Sequence, residues 1–199
     1  MPTSAVLGLR PHTYWTAAAV VAGAADAPEI LWRERLAFAG PGEKFPFHRA
    51  AEAEVAAAPA IIEASRRAYV ANLRRELLPL LERMRARGVE VRLAATAAST
   101  ARLPPALADI LASHSRIHTA EGDFARDAVA AGCEAAGLAV RRVVERELPA
   151  LTADRLGVGL PELAARLKAM GAALGPPWSE DYKLAAQAAW LQLPALAPA

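Results

Sequence analysis

The sequence predicts an α/β fold with a mixed five-stranded sheet, in the order β-β-β-α-β-α-β-α, and helices on both faces. Three observations carry this. The chain opens with three extended apolar segments joined by tight links, and short links between successive strands mean antiparallel neighbours. Amphipathic helical stretches then alternate with two compact, valine-bearing strands, the pattern of βα crossovers. Turn and stop signals at Pro11, Gly23, Gly40-Pro41-Gly42, Gly88, Gly137 and Gly175-Pro176-Pro177 separate these stretches.

Ser4–Arg10 is short and apolar, with Val6, Leu7 and Leu9. Tyr14–Gly23 is a continuous apolar run, which suits a strand covered on both faces. In Pro28–Phe38 the period of two puts Ile30, Trp32, Leu36 and Phe38 on one face and Arg33 and Arg35 on the other. A loop follows from Gly40 to about Pro46. A long helix is predicted next from Ile62, Tyr69, Leu73, Leu77, Leu80 and Met84, with Pro79 inside and Gly88 as the stop. Val89–Thr96 reads as the fourth strand and Leu138–Glu145 as the fifth. Between them Pro104–Leu111 and Glu121–Ala136 read as helices, and Leu160–Leu174 and Ser179–Leu193 close the chain. Ser179 is a suitable N-cap, and the tail from Pro194 to Ala199 is expected to fray. Ser4–Arg10 should be the central strand, antiparallel to the second and parallel to the fourth. The core should include Val6, Leu7, Trp32, Leu73, Leu77, Leu93 and Val143.

A chain of 199 residues with no interdomain linker is expected to form one domain over 1–199. A hydrophobic share of 54% with 22% charged residues marks a globular protein. The formal charge of +2 is too balanced to demand nucleic acid as a partner. A lone cysteine, Cys133, rules out an internal disulfide and reads as a packed helix residue. The start lacks a signal-peptide pattern, and the longest apolar run, Tyr14–Ala25, is shorter than a bilayer span. The expectation is a cytoplasmic protein without membrane attachment, with self-association left open.

The opening residues carry a resemblance. Gly8-Leu9-Arg10-Pro11-His12-Thr13-Tyr14-Trp15-Thr16-Ala17, followed by Ala18-Ala19-Val20-Val21, resembles in length and apolar pattern the first strand, turn and second strand of RuvC-type resolvases. Those enzymes belong to the ribonuclease H-like superfamily, whose element order this chain shares. The resemblance implies a ribonuclease H-like fold and an association with nucleic acid. In that family, clustered carboxylates hold two Mg²⁺ ions that activate water. Here Arg10 stands where the first metal-binding aspartate would be, and a guanidinium repels a cation. The resemblance therefore implies a degenerate metal site.

In open α/β sheets ligands gather beyond the carboxyl ends of parallel strands. That rule selects Arg10 with His12, Thr96 with Ser99 and Thr100, and Glu145 with Arg146 and Glu147. The last helix adds Glu180, Asp181 and Lys183, and Asp181 is the counterpart of the resolvases' last-helix carboxylate. Plain structural roles compete: a first-turn acid on the helix dipole for Asp181, a surface ion pair for Glu145. The densest polar stretch is Ser113–Asp123; if helical, it puts His114, His118 and Glu121 on one face, where two imidazoles and a carboxylate could bind zinc, though the Glu after the first His that makes the metalloprotease signature specific is missing. Helix-start hydrogen bonding is the competing role there. The candidate catalytic set is Glu121, Glu145 and Asp181, and the candidate ligand-binding set is Arg10, His12, His118 and Lys183. At least one of the three acids should bond the Arg10 guanidinium. No phosphate loop, dinucleotide-binding glycine pattern, nucleophile elbow or kinase signature is present, and no cofactor is expected. With Arg10 in place of the aspartate, no tight divalent site is expected either. Arg66, Arg67, Arg74 and Arg75 read as a solvated helix face rather than a basic stripe. Two functions fit: a nucleic-acid-binding or processing domain with a degenerate metal site, and a non-enzymatic interaction or assembly module that kept the fold.

Overall fold

The computed structural model describes residues 2–196. Its sheet has the order β3-β2-β1-β4-β5, built from β1 (Thr3–Pro11), β2 (Trp15–Gly23), β3 (Pro28–Ala37), β4 (Val89–Ala98) and β5 (Ala139–Val144). β1 is central, antiparallel to β2 (Leu7 opposite Val20) and parallel to β4 (Leu7 beside Ala94). β5 extends the parallel half. The helices are α1 (Pro46–Glu52), α2 (Ala58–Ala86), α3 (Leu107–Leu111), α4 (His114–Ala135), α5 (Leu148–Leu156), α6 (Leu160–Ala172) and α7 (Glu180–Gln192).

Alternation along β1 divides the core. Ala5, Leu7 and Leu9 face Tyr69, Leu73 and Leu77 of α2 and Phe124 of α4. Val6 faces the other way, toward Leu163 of α6 and Ala185, Ala189 and Trp190 of α7. Helices thus cover both faces, as the apolar character of β1 and β2 requires. Cys133 is buried in α4, and burial pushes its thiol pKa up to about 12, so it packs as an inert side chain.

One close approach positions the site. A Cβ added at Gly8 would meet the Ala185 carbonyl oxygen at 1.8 Å. Only glycine lets the backbone of α7, lined here by Ala185, Ala186 and Ala189, lie directly on β1.

Five details differ from the sequence expectations. A bulge in β3 opposite Val20 and Val21 turns Ile30 to the α7 side, so it does not share a face with Trp32 and Leu36. Trp32 is only half-buried. α4 starts at His114, about two turns before Glu121. A 3₁₀ turn at Glu145–Glu147 and then α5 follow β5, where no helix is expected. Ser179 occupies the N-cap of α7 without a side-chain bond to it. At the tail, Leu193–Leu196 forms a 3₁₀ turn, and the expected fraying of 197–199 lies outside the described residues. Among the described residues no helix is long and apolar enough to cross a membrane.

Candidate functional site at the strand ends

β1, β4 and β5 run parallel, so their carboxyl ends lie side by side. Arg10 closes β1 on the α7 face, and Glu145 follows β5 immediately. Asp181 stands one turn before Ala185, which rests on Gly8, so the seating of α7 brings its first turn over Arg10. Arg10 Nη1 donates to Asp181 Oδ1 at 2.6 Å and Nη2 to Glu145 Oε1 at 3.2 Å. The three side chains are 24–31% exposed, dry enough for a charge-assisted pair to persist. Arg10 is thus held by two of the three acids expected as partners.

His12 completes the cluster, with Nε2 at 2.5 Å from Arg10 Nη1 and 3.0 Å from Asp181 Oδ1. One nitrogen cannot accept from the guanidinium and donate to the carboxylate at once. Burial lowers the His12 pKa below its usual value; the Asp181 hydrogen bond opposes this, and the Arg10 charge reinforces it. A neutral imidazole accepting from Arg10 fits this direction and the shorter contact.

An aromatic and cationic rim borders these strand ends. His12 stacks on Trp15 with ring centroids 3.9 Å apart, and the Arg35 guanidinium lies 4.1 Å from the Trp15 ring. Lys44 Nζ sits 4.2 Å from the Tyr14 ring, and Tyr14 meets Phe45 edge-on at 5.9 Å. Phe45 is 41% exposed and holds a left-handed backbone (φ 55°), an unfavourable conformation for a bulky residue.

The remaining expected residues lie elsewhere. Glu121 does not reach Arg10. It is buried on the α2–α4 side of the sheet, where its Oε1 accepts from the backbone N–H groups of Phe47 (2.8 Å) and His48 (3.2 Å) and faces His48 Nδ1 at 3.3 Å. Burial raises its pKa, and these hydrogen bonds oppose the rise. His118 sits with His114 and His48, away from His12. Lys183 pairs with Glu180 on the surface. At the end of β4, Thr96 is buried, with its hydroxyl unpartnered among the described residues. Arg66 and Arg67 pair with Glu63, and Arg74 donates to the Ala135 carbonyl, as a solvated helix face would. Sequence reasoning does not find His48, Lys44 or Phe45, which lie in a loop and a short helix with no periodicity. The Trp15–Arg35 pair is implicit in the strand register, Arg35 lying opposite Ala17.

The fold matches solved structures. Thermus thermophilus RuvC in complex with a Holliday junction substrate superposes with a TM-score of 0.53 at 16% identity, covering 95% of this chain and 92% of that one. A second Thermus thermophilus RuvC structure gives 0.54 at 16% identity, covering 94% and 92%. No protein-family model matches the sequence. A search of curated proteins finds no relative either. The chain therefore has the ribonuclease H-like fold, in the arrangement seen in RuvC. The donor set does not fit the metal cluster that this fold family implies. A guanidinium occupies the centre, and both nearby carboxylates are turned to it.

Proposed function

We propose that this protein binds nucleic acid at the carboxyl ends of β1, β4 and β5 and does not cleave it by a two-metal mechanism. The rim of Trp15 with Arg35, Tyr14 with Lys44, and exposed Phe45 carries the reading. Aromatic faces stack on unpaired bases, and neighbouring cations meet phosphates; together they bind single strands with little sequence preference. Backbone strain at an exposed Phe45 suits a residue kept for contact rather than for stability. The Arg10–Asp181–Glu145 cluster then takes the place of a bound cation and holds the strand ends in register. Exposed charges on β3, including Glu34 and Arg35, blunt the free edge that an assembly module would pair through.

Anisotropy of labelled single-stranded and branched DNA tests this. Binding should weaken steeply as salt rises. Phe45→Ala with Lys44→Ala should reduce affinity at least tenfold, since a stacked base is worth roughly 1–3 kcal/mol. Absence of binding at low ionic strength would reject the reading. Mg²⁺-dependent cleavage abolished by Asp181→Asn would reject its second half.

A further inference from the structure

We propose that His48, His114 and His118 bind one divalent transition-metal ion of the zinc class, with Glu121 as the positioning carboxylate behind His48. The proposal is independent of the nucleic-acid reading and departs from the sequence expectation of no tight divalent site.

The chain has 4 histidines, and three of them meet here. His114 and His118 are one turn apart on α4, and their Nε2 atoms lie 3.0 Å from each other. His48 reaches them from α1, with its ring 4.9 Å from that of His118 and 5.5 Å from that of His114. One nitrogen from each ring lies within 4.8 Å of one from each of the others. Two imidazoles on a tetrahedral zinc, with Zn–N near 2.0–2.1 Å, have their nitrogens about 3.3 Å apart. The rings meet at steep angles of 66–85°, so they do not stack face to face.

Glu121 gives the cluster a purpose beyond proximity. It is 2% exposed, and its Oε1 faces His48 Nδ1 while also accepting two backbone N–H groups of α1. That bond places the His48 proton on Nδ1 and leaves the Nε2 lone pair free. Metal-ligating histidines are oriented by carboxylates in this way. Glu121 Oε2 is buried with no partner among the described residues, a cost that an ordinary surface helix has no reason to carry. A cation beside His48 would offset it. The N-terminal turn of α4 opposes a cation through its dipole, and the Glu121 charge one turn beyond His118 counters that. All-imidazole donors select zinc, cobalt, nickel or copper over magnesium. His114 and His118 are exposed, which leaves room for water as a fourth ligand.

The test uses the chelator-treated full-length protein titrated with Co²⁺, followed by visible absorption, with Zn²⁺ as competitor. One equivalent should bind saturably and be displaced by Zn²⁺ but not by millimolar Mg²⁺. His114→Ala, at an exposed position that leaves the core intact, should weaken Co²⁺ binding at least 100-fold. Glu121→Gln should weaken it 10–100-fold, and unchanged circular dichroism of both variants excludes unfolding as the cause. No saturable Co²⁺ signal, or stoichiometric binding that survives His114→Ala, would overturn the proposal.

Discussion

Two clusters occupy the same end of this sheet, on opposite faces, and they solve one electrostatic problem differently. α4 starts after β4 and returns before β5, so its first turns lie level with the strand ends where Arg10 sits. On the α7 face, carboxylates that would suit a metal ion meet a cation supplied by the chain. On the α4 face, three imidazoles and a buried carboxylate converge. An internal cation is permanent, tied to folding and indifferent to ion supply. An external one is exchangeable and can be removed.

Gly8 holds the arginine cluster in place but has no part in the histidine cluster, and its substitution should have the greatest consequence. An alanine there places its Cβ 1.8 Å from the Ala185 carbonyl oxygen, a backbone atom that cannot swing aside. α7 must lift, taking Asp181 from Arg10 and opening the Val6–Trp190 side of the core. Gly8→Ala should destabilise by about 3 kcal/mol or more in urea unfolding. Co²⁺ binding at the histidine cluster should persist wherever the variant remains folded. A near-neutral Gly8→Ala would mean that α7 does not rest on β1, and the geometry of the arginine cluster would fall with it. Gly132 offers an internal control. There the three nearest atoms a Cβ would meet belong to the Leu73 side chain, the closest at 2.8 Å, so the obstruction is smaller than the backbone oxygen at 1.8 Å from Gly8.

A smaller effect sharpens the contrast between internal and external cations. Arg10→Asp sets three carboxylates together and removes the group that neutralises them. Stability should fall by about 2–4 kcal/mol, because the partners are left only partly solvated. Added Mg²⁺ should then raise the melting temperature of Arg10→Asp but not that of the unsubstituted protein. An unchanged melting temperature in both conditions would identify Arg10 as an ordinary solvated residue.

What the sequence reveals follows from how each feature is encoded. The central position of β1 is legible because its two neighbours are set by short links and the crossover rule. The Arg10 partnership is legible for the same reason: parallel strands bring their carboxyl ends together whatever lies between them. The histidine cluster is half-legible. His114 and His118 share a helical spacing, and Ile117, Phe124 and Ala128 extend the apolar stripe of α4 back to its true start. The polar residues at 113–123 mask that stripe in the sequence. His48 is invisible beforehand, since α1 has 7 residues and its packing on α4 is purely tertiary. The β3 bulge shifts the pattern by one residue and so defeats strict alternation at Ile30. The Gly8 contact is legible only as a glycine within a strand, a hint of close approach without a partner.

The smallest expected effect separates the two clusters by the sign of their response to acid. His12 has its pKa lowered from 6.5 by burial, with the Arg10 charge adding to that and the Asp181 contact opposing it. As pH falls through 6.5, the unfolded chain takes up a proton at this position before the folded protein does. The native state therefore loses stability over that window, and the loss levels off below the folded value. Glu121 behaves oppositely. Its pKa is raised from 4.5, so the folded protein takes up a proton while the unfolded chain is still ionised. Acidification toward 4.5 thus favours the native state through Glu121, relieving a buried charge. Urea unfolding of metal-free protein between about pH 7.5 and 4.5, repeated with His12→Asn and with Glu121→Gln, isolates each contribution by difference. Removing His12 should flatten the decline just below pH 6.5. Removing the Glu121 charge should abolish a gain that appears at lower pH. If His12→Asn instead steepened the decline, the folded imidazole would be the protonated form. Asp181 would then hold a proton donor at Nε2, and the assignment of His12 as an acceptor from Arg10 would be reversed.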